Sequence, residues 1–180
     1  MDNNISGFGL TLRPVQEQDI ESIRVWRNGQ MGNLRQTEAI HVDQQKKYFE
    51  EVVFPTYGLE QPPQLLLAIL SENNLIGYGG LVHINWINRT GEMSFLLDTS
   101  VGDGSSTHRE LLGRFVRLIR NVAFDQLELH RLWTETYCFR TSHIEALEQS
   151  GFMLEGRLRQ ATKLSSNYVD SLIHSILETD

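Results

Sequence analysis

A single cysteine, Cys138, stands in the 180-residue chain, so no disulfide can close within it. Proline is scarce, four in all and none across residues 91–127, so nothing there forbids a long helix. Apolar runs such as QLLLAIL fall far short of the ~20 residues a membrane-spanning helix needs. Positive charge is in deficit too, 16 Lys and Arg against 23 Asp and Glu, for a formal net charge of -7. A phosphate backbone needs a basic surface, which argues against nucleic acid as a partner, whereas an acidic surface suits a cationic amine. No basic-then-apolar leader opens the chain. With the lone cysteine, this predicts a reducing, cytoplasmic setting and no membrane partner. What is present is ordinary for a globular protein: 40% hydrophobic residues, with no internal repeat, low-complexity tract or linker. These features predict one domain over residues 1–180, with the polar, glycine-containing residues 1–8 frayed.

Residues 91–127 organise the rest. In GEMSFLLD, Met93, Phe95 and Leu97 fall on one face and Glu92, Ser94 and Leu96 on the other, the period of a strand. After TSVGDGSST the period becomes helical, with Leu111, Phe115, Leu118, Ile119 and Val122 recurring on one face. Thr107 with Glu110 reads as a capping box. A strand that passes to a helix through glycines and serines leaves backbone N–H groups unpaired and pointing one way, a seat for phosphate.

Residues 10–15 read as a short strand stopped at Pro14, followed by a helix capped by Asp19 and running through Ile20, Ile23 and Trp26. Residues 30–41 hold no period and read as a loop, and residues 42–53 as a second helix capped by Asp43. Residues 64–70 and 75–87 read as buried strands. The glycines at 77, 79 and 80 lack the spacing of a dinucleotide fingerprint and precede a strand rather than a helix, so a bulge or close packing explains them better. A four-residue turn at 87–90 would set Asn85 opposite Glu92 and His83 opposite Ser94. That polar face is either the solvated end of a sheet or an acceptor pocket holding a base. Residues 131–139 read as a strand parallel to 91–98, and residues 140–150 as a short helix capped by Thr141 or Ser142 and ended by Gly151. Residues 152–163 and 169–177 close the chain as antiparallel strands. The predicted order is β-α-α-β-β-β-α-β-α-β-β, an α/β (α+β) fold with a mixed, mostly antiparallel sheet of about seven strands and helices on both faces.

Three separated stretches, LTLRPVQEQDIESIRVWRN, LELHRLWTE and HIEALEQSGFMLEGRLR, carry a family resemblance. Over essentially its whole length the chain resembles the GNAT superfamily of acetyl-CoA-dependent N-acetyltransferases, in the branch of ribosomal-protein N-terminal and nucleotide-amino-sugar acetyltransferases. The resemblance implies acetyl-CoA as co-substrate, direct transfer to a primary amine, no metal, and a homodimer as one assembly. It implies that backbone groups near Phe95, Leu96 and Leu97 pair with the pantetheine arm, where this strand splays from residues 132–138. It also implies that Val101, Gly102, Asp103, Gly104, Ser105, Ser106 and Thr107 hold the diphosphate. The family's phosphate pattern opens on Gln or Arg. Read from Val101 it places Gly104 and Ser106 on the small positions, and read from Thr99 it places Gly102 and Gly104 there. Neither reading supplies a basic or amide side chain, which leaves the task to backbone N–H groups. Arg140 stands at the family's asparagine position and is expected, with Ser142, at the coenzyme.

Direct acyl transfer needs a neutral amine and hence a proton acceptor, donors for the developing oxyanion, and a proton for the leaving thiolate. Glu92 is expected as the base, directly or through water, with His83 second. The alternatives are an exposed strand carboxylate and a structural histidine. The family's usual tyrosine acid falls at Leu147, so Tyr137 is the substitute, against a plain packing role. Cys138 has no recognisable His and acid partners and reads as a small buried residue. Arg27, Asn28, Asn85 and Trp86 are expected in the acceptor site. The favoured acceptor is a small amine such as that of a nucleotide-linked amino sugar, the alternatives being a protein N terminus or a non-catalytic CoA sensor. The six histidines show no ligand spacing, so no metal is expected.

Overall fold

Apolar residues at every position of LLLAIL demand burial on both faces, and this run forms β3 (Leu65–Ser71) inside an eight-stranded sheet. The computed structural model describes residues 4–180; residues 1–3, part of the stretch expected to fray, lie outside the described residues. In chain order the strands are β1 (Ile5–Gly7), β2 (Leu10–Pro14), β3, β4 (Asn74–Asn85), β5 (Thr90–Leu97), β6 (Arg131–Tyr137), β7 (Met153–Leu164) and β8 (Asn167–Leu177). In space β8 lies between β6 and β7, and β5 with β6 is the parallel pair in an otherwise antiparallel sheet. The helices are α1 (Ile20–Gly29), α2 (Val42–Tyr48), α3 (Ser106–Arg120) and α4 (Thr141–Gln149).

Alternation along β3 sorts two cores. Leu65, Leu67 and Ile69 meet Leu112, Phe115 and Ile119 of α3 together with Leu147 of α4. Leu66 and Ala68 face the other way, onto Ile23 and Trp26 of α1 and Phe49 and Val53 beyond α2. The mixed sheet with helices on both faces is therefore as the residue order predicts. The eighth strand is the addition. Residues 5–7 pair with the free edge of β2, Ile5 against Leu12, instead of fraying.

Helix starts differ from the predicted ones. At α3 the cap is Ser105, whose Oγ accepts from His108 N at 3.1 Å, not Thr107. At α2 the cap is His41, whose N–H donates to Gln44 Oε1 at 2.9 Å, not Asp43. Arg140 rather than Thr141 or Ser142 caps α4. Asp19 does precede α1, but its carboxylate accepts from Gln16 N and takes both terminal nitrogens of Arg13, tying β2 to the helix. The glycines of β4 permit close approach: a Cβ on Gly79 would lie 2.4 Å from the Ser94 carbonyl oxygen of β5.

The β4–β5 register also corrects the hairpin expectation. Glu92 pairs with Val82 and Ser94 with Gly80, and Asn85 lies opposite Thr90. One extra residue on β4 between Val82 and Asn85 makes a bulge, and His83 within it adopts φ 49°. A bulge re-aims its side chain, and here it turns His83 back toward Glu92.

Candidate functional site

Strands β5 and β6 pair only through Thr90 with Arg131, Gly91 with Leu132 and Glu92 with Trp133. Past that point β5 keeps β4 as far as Leu97, and β6 keeps β8 as far as Tyr137, while their facing edges part. Two strand edges facing each other unpaired leave a row of N–H and C=O groups open to an extended ligand. The cleft measures about 310 Å³ and is lined by Ser94 and Phe95, by Thr134, Glu135, Thr136 and Tyr137, and by Leu34 and Arg35 of the loop after α1.

Glu92 stands at the vertex, 5% exposed. Its Oε2 lies 2.6 Å from His83 Nδ1, and its Oε1 accepts from Arg35 Nη2. The same Arg35 nitrogen is 3.5 Å from Glu135 Oε2 on β6. Glu92 is thus held between a largely exposed imidazole and a guanidinium, aimed into the cleft. Tyr137 lines the cleft with its hydroxyl 3.3 Å from the Leu34 carbonyl, to which it donates. Leu147 is fully buried in the α3 core and offers no acid.

The expected acceptor residues divide. Arg27 lines the cleft and donates to Tyr78 Oη at 2.5 Å. Asn28 instead holds the loop: its amide accepts from Ile40 N and Gln36 Nε2 and donates to Ile40 O. Asn85 caps the β4–β5 turn by accepting from Asn88 N. Trp86 donates to Pro62 O and packs on the α3 core. The displaced register carries Asn85 and Trp86 away from the cleft.

At the other end, the N–H groups of Gly102, Asp103 and Gly104 have no partner among the described residues, and α3 opens directly after them. Gly104, at φ 74°, brings this loop against α4: a Cβ there would lie 2.8 Å from Ser142 Cβ. Arg140 approaches from α4. Its Nη2 and Nε bond Asp103 at 2.8 and 3.1 Å, and Asn33 adds a 3.2 Å contact. Burial works to raise the Asp103 carboxyl, but the hydrogen bond and charge of Arg140 hold it below its ordinary value. The donor set of unpaired amides, a helix N-terminus and a guanidinium suits a diphosphate, and the parted strands suit an extended amide-bearing arm. Val101, Ser105, Ser106 and Thr107 complete this turn, but it does not line the cleft itself. The Leu97 carbonyl is taken by Gln30, and the side chains of Leu96 and Leu97 are buried.

Sequence reasoning missed a buried pair beside this loop. His108 Nε2 and His143 Nδ1 lie 3.0 Å apart, with Asp103 Oδ1 3.5 Å from His108. Their spacing of 35 residues carries no signal; only the packing of α3 on α4 joins them. Asp103, His108 and His143 bring three donor atoms within 4.8 Å of one another. Arg140, 3.3 Å from His143 and bonded to Asp103, already supplies a positive charge there. Burial pushes His143 well below its ordinary value, and the nearby Arg140 charge adds to this. Burial likewise lowers His108, against the raising pull of Asp103. The folded protein thus binds fewer protons here than the unfolded chain. This stability is fully present above the unfolded value of 6.5, starts to fall below it, and is lost as pH drops through the lower folded-state values. The melting temperature should therefore drop as pH falls below 6.5 towards the depressed folded-state values, and His143→Gln should flatten that drop. Equal slopes in the two proteins would contradict this.

A family model described as an acetyltransferase (GNAT) domain matches residues 12–173. The spermidine N(1)-acetyltransferase of Vibrio cholerae is 22% identical over 163 residues, 89% of this chain and 88% of that one. An uncharacterised, prophage-derived N-acetyltransferase of Bacillus subtilis is 24% identical over 168 residues, 93% of this chain and 89% of that one. A crystal structure of the Vibrio cholerae spermidine enzyme, in complex with CoA and spermine, superposes with TM-score 0.82 at 21% identity, covering 96% of this chain and 98% of that one.

Proposed function

The chain belongs to the GNAT acetyltransferase family, and from that premise we propose that it transfers an acetyl group from acetyl-CoA directly to a primary amine of a small molecule. The observation that carries this reading is the parting of β5 from β6 immediately beyond Glu92. It puts a buried carboxylate at the head of a cleft whose walls are unpaired backbone.

The coenzyme, when bound, supplies the thioester. Everything else falls to this chain. The open edge of β5 offers N–H groups to the arm and to the developing oxyanion. The amides at 102–104 and Arg140 offer the anion seat at the far end. Glu92 takes the proton from the incoming ammonium, so that nitrogen presents a lone pair. His83, 2.6 Å from Glu92 with its side chain 66% exposed, passes that proton to solvent. Tyr137 is the hydroxyl available to the leaving thiolate.

Asn85 and Trp86, two of the residues expected in the acceptor site, lie outside the cleft, which weakens the case for a nucleotide-linked sugar although His83 and Tyr137 line it. The lining instead mixes two carboxylates, Glu92 and Glu135, with arginines. A cleft of about 310 Å³ also suits a small amine better than a protein N terminus. The Vibrio cholerae relative is a spermidine N(1)-acetyltransferase, and a structure of it is dodecameric; self-assembly of this chain would follow the same pattern. Thiol release from acetyl-CoA with a panel of amines tests the proposal. Amine-dependent release is expected. CoA binding without release under any amine would favour the sensor reading instead.

A further inference from the structure

Arg35 comes from a loop between α1 and α2, yet its guanidinium reaches the vertex of the cleft, where it bonds Glu92 and stands 3.5 Å from Glu135. Glu92 belongs to β5 and Glu135 to β6, so one cation spans the two strands where they separate. The three side chains are not equally fixed. Those of Glu92 and Glu135 are 6% and 17% exposed on paired strands, whereas that of Arg35 is 47% exposed on a loop. Arg35 is the member that can leave without disturbing the sheet. If it left, two carboxylates would share a confined, partly dry space, and like charges so placed demand a cation.

Acyl transfer demands a cation in the same place. An aliphatic amine reaches neutral water as an ammonium, because its pKa is near ~10, and it must reach Glu92 to lose its proton. The ammonium and the Arg35 guanidinium cannot both occupy the seat between Glu92 and Glu135. We propose that Arg35 is a built-in stand-in for the acceptor: Glu92 and Glu135 form the seat for a primary ammonium, and Arg35 swings out to admit a cationic aliphatic amine. This rests on the acetyltransfer reading above and adds the substrate class and the group it must displace. A seat that its own side chain fills most of the time binds ligand more weakly by the fraction of time it is open.

Calorimetric titration of spermidine and putrescine into the free protein tests this. Arg35→Ala should bind spermidine about 10-fold tighter than the wild type if Arg35 fills the seat ~90% of the time. Arg35→Lys, which keeps a cation, should gain less. Adding Glu135→Gln to Arg35→Ala should cancel the gain. Binding by Arg35→Ala that is equal to or weaker than wild type, or no binding by any variant, would overturn the proposal. Thiol release assayed alongside separates the two readings. A tightened Arg35→Ala without turnover would sink acetyltransfer and leave the seat standing. Turnover with no gain in Arg35→Ala would sink the seat alone.

Discussion

Glu92→Gln is expected to lower kcat for acetyl transfer by roughly 10²- to 10⁴-fold while leaving CoA affinity nearly unchanged. Gln keeps the shape and can still accept from Arg35 and face His83, so the cleft should keep its form. What it loses is the ability to take a proton, which matters only once an ammonium has to become an amine. The effect therefore belongs in turnover and not in coenzyme binding. Steady-state kinetics over a range of pH, with CoA titrated separately, reads both quantities. Unchanged turnover at every pH would remove Glu92 as the base and leave it a structural partner of Arg35 and His83.

Gly104→Trp is expected to abolish measurable CoA binding. The residue sits at φ 74°, where a side chain is strained, and a Cβ would meet Ser142 at 2.8 Å. An indole there must push the loop off the α4 start and fill the space before the amides of residues 102–104. Because this loop stands outside both hydrophobic clusters, the fold should survive with a small drop in melting temperature, which circular dichroism checks. Full-strength CoA binding by a folded Gly104→Trp protein would place the diphosphate elsewhere.

Much of the fold was legible because period and punctuation agree along the chain. The change from period two in residues 91–98 to a helical period after residue 106 marks β5, the loop and α3, and the unbroken LLLAIL marks a strand buried on both faces. The register at the site was not legible. The turn lies one residue earlier than expected, over 86–89, which sets Asn85 against Thr90, and one added residue at His83 then moves the partner of Glu92 to Val82; alternation detects neither the turn's place nor a bulge whose cause is one backbone angle. Even so, Glu92 and His83 meet, through the bulge and not across the ladder. The cap of α3 was misplaced because Thr107 with Glu110 has the letter pattern of a capping box, while Ser105 captures the amide of His108 two residues earlier. The loop that carries Arg35 was expected at the acceptor site, but Arg35 itself was not legible, for a deeper reason. It lies in a stretch with no period, and its partners stand on two strands, one of them a hundred residues away. No spacing rule links a loop arginine to a pair of carboxylates that only the finished sheet brings together.

The most direct test of the account is a crystal structure of the chain soaked with CoA. The account predicts the sulfur between residues 93–97 of β5 and 134–137 of β6, close to Glu92, with the diphosphate against the amides of residues 102–104 and Arg140. A closed cleft with CoA lying on another surface would contradict it.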